Sequence, residues 1–171
     1  GVPVRHVRSG SGDRGDLVLA ADAALGVPHP VGNTEGIERA WVKLGGFLIG
    51  VEDSFFDTFT GYASGVVNDG LIPYGPFTTH TIQYVFDAGN GFSAVVSLEE
   101  GSGAVGTIDS YVPHVVGGVK YTQGWGAITG VVAYDSNYEE VAGKVRLDVK
   151  PMDNLSLFIM GGYGTDDNLN D

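Results

Sequence analysis

Glu140-Val141-Ala142-Gly143-Lys144-Val145-Arg146-Leu147-Asp148-Val149 alternates without interruption. Val141, Gly143, Val145, Leu147 and Val149 fall on one side of an extended chain, and Glu140, Ala142, Lys144, Arg146 and Asp148 on the other. Successive side chains of a strand point to opposite faces, so this run predicts a β-strand with one apolar face and one charged face.

The same period of two recurs outward from this run over the chain from Glu38 onward. Ala40, Val42 and Leu44 oppose Arg39, Trp41 and Lys43; Phe47, Ile49 and Val51 oppose Leu48, Gly50 and Glu52. Ile82, Tyr84 and Phe86 oppose Thr81, Gln83 and Val85; Phe92, Ala94, Val96 and Leu98 oppose Ser93, Val95, Ser97 and Glu99. Val115, Gly117, Val119 and Tyr121 oppose His114, Val116, Gly118 and Lys120, and Ile128, Gly130, Val132 and Tyr134 share a face. Leu155, Leu157, Ile159, Gly161 and Tyr163 form the last apolar face, which brings the expected total to eight strands.

The links between them form a second pattern. Those at 45–46, 87–91, 122–125 and 150–154 are short; those at 53–78, 99–110 and, only slightly, 135–139 are longer. Strands joined in this way run antiparallel, which gathers the tight turns at one end and the long loops at the other. An antiparallel transmembrane β-barrel of the outer-membrane kind has that layout. A soluble sandwich with Greek-key crossings would not alternate so regularly. Tyr84, Phe86, Phe92, Tyr121, Tyr134 and Tyr163 fall near strand ends, where the aromatic girdles of such barrels sit.

Composition agrees with many short strands. The 171 residues include 28 Gly without a collagen period, together with eight Tyr and eight Phe, which argues against disorder. Cysteine is absent, so a disulfide framework and Cys-based metal or redox chemistry are excluded. A net charge of -12 opposes nucleic-acid binding and a polybasic membrane anchor. No apolar run is long enough for a transmembrane helix, but barrel strands escape that test because only every second residue meets lipid. The opening GVPVRHVRSG lacks the apolar core of a signal peptide, so the expectation is a mature or truncated chain.

Residues 1–38 form an unassigned leader. Ser9 to Asp16 is a flexible polar run, Leu17 to Leu25 has some helical spacing, and Pro28 and Pro30 break any continuation of it. The Arg14-Gly15-Asp16 triplet is too common by chance to carry an adhesion reading. Residues 39–171 are expected to form the barrel strands, including the loop 53–78.

In a barrel the mixed face lines a lumen, which places Arg39, Lys43, Lys120, Lys144 and Arg146 on the wall as basic groups. The loop 53–78, about 25 residues with little structure of its own, is of a length usually tied to function. It carries Phe55, Phe56, Phe59, Tyr62, Leu71, Ile72, Tyr74 and Phe77, too apolar a set to hang in water. The expectation is that it folds inward and leaves Glu52, Asp53, Asp57 and Asp69 at the lumen as constriction acids. Acids facing basic groups across a narrow pore set up a transverse field, and rings of charge set ion preference.

Plainer readings stand beside these. Glu52, Asp53 and Asp57 also fit a solvated loop edge, and Lys144 and Arg146 beside Glu140 and Asp148 fit surface pairs of little energetic weight. His6, His29, His80 and His114 show no metal-ligand spacing. Glu99-Glu100 and Glu139-Glu140 point to opposite faces of a strand, poor geometry for acid–base work, and Asp166-Asp167-Asn168 lacks the Gly and Glu of a calcium loop. No catalytic set, metal or cofactor is expected. The alternative from a different class is a soluble secreted β-sandwich binding or adhesin module, whose core would carry larger side chains than Gly117, Gly130, Gly143 and Gly161. A small barrel complete in eight strands is a third.

Four stretches carry a family resemblance over residues 39–163. They are AWVKLGGFLIGVEDSFFDTFTGY at 40–62, GNGFSAVVSLEEG at 89–101, YVPHVVGGVKYTQGWGAITGVVAYDS at 111–136 and YEEVAGKVRLDV at 138–149. The chain resembles the general porins of alphaproteobacteria, a family of trimeric sixteen-stranded outer-membrane channels. The resemblance implies a partial sequence with about half the strands, and Leu169-Asn170-Asp171 lacks the terminal aromatic such barrels end on. It further implies a homotrimer in outer-membrane lipid, with 53–78 as the loop that narrows the pore. Passive diffusion of small hydrophilic solutes and ions is then the expected activity, with neither an enzyme reaction nor a nucleic-acid partner.

Overall fold

The computed structural model describes residues 7–8, 17–24, 36–62, 72, 74–101 and 106–165. Ten strands in these residues form a single sheet in chain order, each antiparallel to the next. They are β1 (Val7–Arg8), β2 (Leu17–Ala24), β3 (Gly36–Leu44), β4 (Phe47–Glu52), β5 (Thr79–Asp87), β6 (Phe92–Glu100), β7 (His114–Gln123), β8 (Gly126–Asp135), β9 (Glu140–Met152) and β10 (Leu155–Gly164). One short helix, α1 (Phe55–Thr58), stands in the link between β4 and β5. Among the described residues β1 bonds only to β2 and β10 only to β9, so the sheet is open.

The eight alternating runs are β3 to β10. Two strands precede them. Leu17–Ala24, whose spacing has a helical component, is extended because it pairs along its length with β3, from Leu17 opposite Leu44 to Ala24 opposite Gly36. Pairing with a neighbour overrides a weak local preference. Most of β3 to β10 run nine or ten residues, the length a tilted strand needs to cross a bilayer.

The two faces of the sheet differ as the alternation requires. One is open and apolar: Val42, Ile49, Ile82, Val96, Val119, Val132, Val145 and Ile159 are all exposed on it. Phe47 and Tyr84, cross-strand neighbours with ring centroids 4.6 Å apart, and Phe92 opposite Tyr121 lie at its tight-turn end. Tyr134 and Tyr163 lie toward the long-loop end. The other face carries the loop and is where residues become buried. Those residues are mostly polar: Thr79, Thr81, Gln83, Ser97, Glu99, Thr129 and Lys144. A water-soluble sandwich places apolar side chains under a second layer, and among the described residues nothing covers them. The distribution suits hydrocarbon outside and a polar interior.

Candidate functional site

The link after β4 turns onto the loop face at Ser54. Its Oγ accepts the Phe56 N–H at 3.1 Å, capping α1, and its own N–H donates to the Pro76 carbonyl at 3.1 Å. The second bond ties the outgoing chain to the returning one. The Phe55 N–H, an unmatched donor in the first turn of α1, donates to Glu99 Oε1 of β6 at 2.9 Å. Below the helix, Phe56 packs on Val116 of β7 and Val131 of β8, with Phe55, Phe59, Ala133 and Ala142 around them.

Small wall residues make room for these rings. A Cβ at Gly118 would sit 3.0 Å from Phe59 Cδ1 and 2.8 Å from Val131 Cγ1. Gly118→Leu is therefore expected to unseat Phe59 at a cost of about 1–3 kcal/mol. An earlier urea midpoint in detergent would register it; an unchanged midpoint would mean that α1 does not rest on this bed.

Two cations on the same face of β9 hold the loop. Lys144 Nζ lies 2.5 Å from Asp57 Oδ1, and the Gly75 N–H donates to Asp57 Oδ2 at 2.8 Å. The Lys144 ammonium also stands 4.3 Å from the Phe56 ring centroid and 5.6 Å from that of Tyr74. Asp57 is wholly buried and Lys144 only 3% exposed. Burial pushes the Asp57 carboxyl upward, while the Lys144 ammonium and the Gly75 N–H pull it back. Two residues along β9, Arg146 Nη1 donates to the Tyr62 carbonyl at 2.9 Å and Nε donates to Asp148. Tyr62, Tyr74 and Phe77 stack on one another at 6.0–6.3 Å.

At the root of the loop, Asp53 is buried and held by three donors. It accepts from Arg39 Nη2 at 2.6 Å, from the Tyr62 hydroxyl at 2.8 Å and from the Thr78 N–H at 3.3 Å. Burial, together with the hydrogen bond to Asp53, pushes the Tyr62 phenol well above its ordinary range and keeps it a donor. Glu52 Oε1 accepts the Asp53 N–H at 3.0 Å and lies 3.4 Å from Arg39 Nε.

The structure thus brings together Arg39, Glu52, Asp53, Asp57, Lys144 and Arg146 around the loop. Lys43 and Lys120 stand apart, without an ion pair among the described residues, and border a recess with Glu52. Asp69 lies outside the described residues. Glu99, in sequence only half of an adjacent acidic pair, is the acceptor for α1. Its place on the mixed face, at the loop end of its strand, is the signal that could have found it.

Residues 9–170 match the family model described as the porin subfamily. The chain is 47% identical over 157 residues to Porin Omp2a of Brucella ovis, covering 90% of this chain and 44% of that protein. It is 50% identical over 137 residues to Porin Omp2b of Brucella suis biovar 1, covering 75% and 38%. Among solved structures it is similar to the outer membrane channel DcaP of Acinetobacter baumannii, with TM-score 0.67 and 16% identity over 93% of this chain and 50% of that one, a likeness of fold. The chain spans less than half the length of these Brucella porins. With its family model matched over nearly the whole length and its apolar face turned outward, the chain belongs to the porin subfamily.

Proposed function

We propose that the whole protein forms a water-filled channel for passive diffusion of small hydrophilic solutes and ions, narrowed by the loop 53–78. It is an outer-membrane protein, and its work is conduction rather than catalysis. The observation that carries this reading is the inverted sheet: apolar side chains exposed on one face, polar ones gathered on the face that carries the loop. A homotrimer is the assembly proposed, on the resemblance to trimeric general porins.

The charges divide into two groups in this reading. Asp57 and Lys144 neutralise each other in a site closed even within this part of the chain, and completing the barrel can only bury them further. They act as a fastener, as does Arg146 on Tyr62. Arg39, Lys43, Lys120 and Glu52 keep contact with the lumen and, with Asp69 and the root acid Asp53, set its field. The ammonium groups of Lys43 and Lys120 make this stretch of wall basic. Lys43→Glu with Lys120→Glu is expected to shift the permeability ratio toward cations.

Planar-bilayer recording of the full-length protein tests both points. Stepwise, ohmic conductance increments are expected, and reversal potentials in a salt gradient measure the shift. Absence of any conductance step from folded, inserted protein would overturn the channel; an unchanged ratio would remove the two lysines from the ion path.

A further inference from the structure

Between α1 and the strands β3 to β7 lies a recess of about 480 Å³, within the size range of small-molecule sites. Its wall has two parts. Lys43 of β3, Lys120 of β7 and Gln83 of β5 are polar; Leu48 of β4 with Phe55 and Phe59 of the loop are apolar. The two phenyl rings stack at 5.9 Å and form its aromatic side.

The state of the polar groups suggests an occupant. Gln83 is only 1% exposed, yet neither its amide oxygen nor its amide nitrogen has a partner among the described residues. A buried amide is normally satisfied, because leaving it unmet forfeits its hydration without return. Lys43 and Lys120 form no ion pair among the described residues. The one carboxylate among the described residues on the recess, Glu52, is engaged by Arg39 and by the Asp53 N–H. The described residues thus make the recess net positive, with an unmet amide in its wall and an aromatic side.

We propose that this recess is a binding subsite for small organic monoanions with an apolar body, an aromatic carboxylate being the simplest example. The ammonium groups of Lys43 and Lys120, which face the recess from strands four places apart, attract the carboxylate, the Gln83 amide is a further donor, and the body lies against Leu48, Phe55 and Phe59. Charge excludes organic cations, and the apolar wall sets this class apart from inorganic anions. The subsite rests on the channel reading for its role, a stopping place for such solutes on their way through, but not for its existence.

The test is made on the full-length protein in detergent micelles, with benzoate as the probe and saturation-transfer NMR as the readout, so that no conduction is required. Benzoate is expected to bind, with acetate, phosphate and benzylammonium binding much more weakly. Lys43→Gln with Lys120→Gln is expected to weaken benzoate by about tenfold or more. Gln83→Leu weakens it to a lesser degree. Equal binding of benzoate and benzylammonium, or benzoate binding unchanged by the double substitution, would overturn the subsite. Benzoate added to one side of a bilayer then interrupts the current through the open channel. Binding without conductance steps would count against the channel and leave the subsite standing; open channels that bind no benzoate would do the reverse.

Discussion

Lys144→Met in the full-length protein is expected to release the inward loop and raise single-channel conductance. The substitution leaves Asp57, wholly buried, facing a thioether instead of an ammonium 2.5 Å away. An uncompensated buried charge costs about 3–5 kcal/mol. The loop escapes that cost by carrying Asp57 off the wall and into water. Once it leaves, Phe56 loses its bed on Val116 and Val131, and the channel proposed above widens where the loop had narrowed it. The second substitution is the informative one. Asp57→Asn added to Lys144→Met removes the stranded charge but keeps an oxygen for the Gly75 N–H. Because a neutralised pair is often no less stable than the ion pair it replaces, the double variant should return toward the parent in conductance and urea midpoint. A single variant that conducts and unfolds like the parent would show that the fastener is elsewhere.

The barrel strands are legible in the sequence because lipid allows little variation. A strand facing hydrocarbon must keep an apolar residue at every second position, and runs such as Val141 to Val149 record that demand directly. Leu17–Ala24 is not legible. Ala20-Ala21-Asp22-Ala23-Ala24 offers almost no contrast between its two faces, and its strand character comes from register with β3. The candidate site divides in the same way. Parity alone puts Arg39, Lys144 and Arg146 on the face that carries the loop, and loop composition singles out Asp53 and Asp57. Which acid meets which base depends on where the loop comes to rest. Asp57 and Lys144 are 87 positions apart and share no local pattern. Parity groups Lys43 and Lys120 with the other basic residues, and only their surroundings separate them: a recess with an unmet amide rather than a carboxylate in contact.

Val145→Arg is expected to be strongly destabilising, although Val145 is more than half exposed. It lies within β9, between Gly130 of β8 and Gly161 of β10, on the apolar face that a barrel turns to hydrocarbon. An arginine near the midplane of a barrel's lipid face costs about 2–4 kcal/mol, because its charge must leave water or drag water after it. Ser93→Arg on the opposite face provides the contrast. There the lumen hydrates the guanidinium, and even with Lys120 directly across the strand pair the penalty stays below about 1 kcal/mol. Urea titration of the full-length protein folding into lipid vesicles measures both. In a soluble protein the expectation would differ, since an exposed valine on an uncovered sheet tolerates arginine well. A loss of about 2–4 kcal/mol at Val145, well above that at Ser93, therefore identifies hydrocarbon on the apolar side of the sheet. Equal losses would mean that both sides meet the same solvent, and a channel wall needs two.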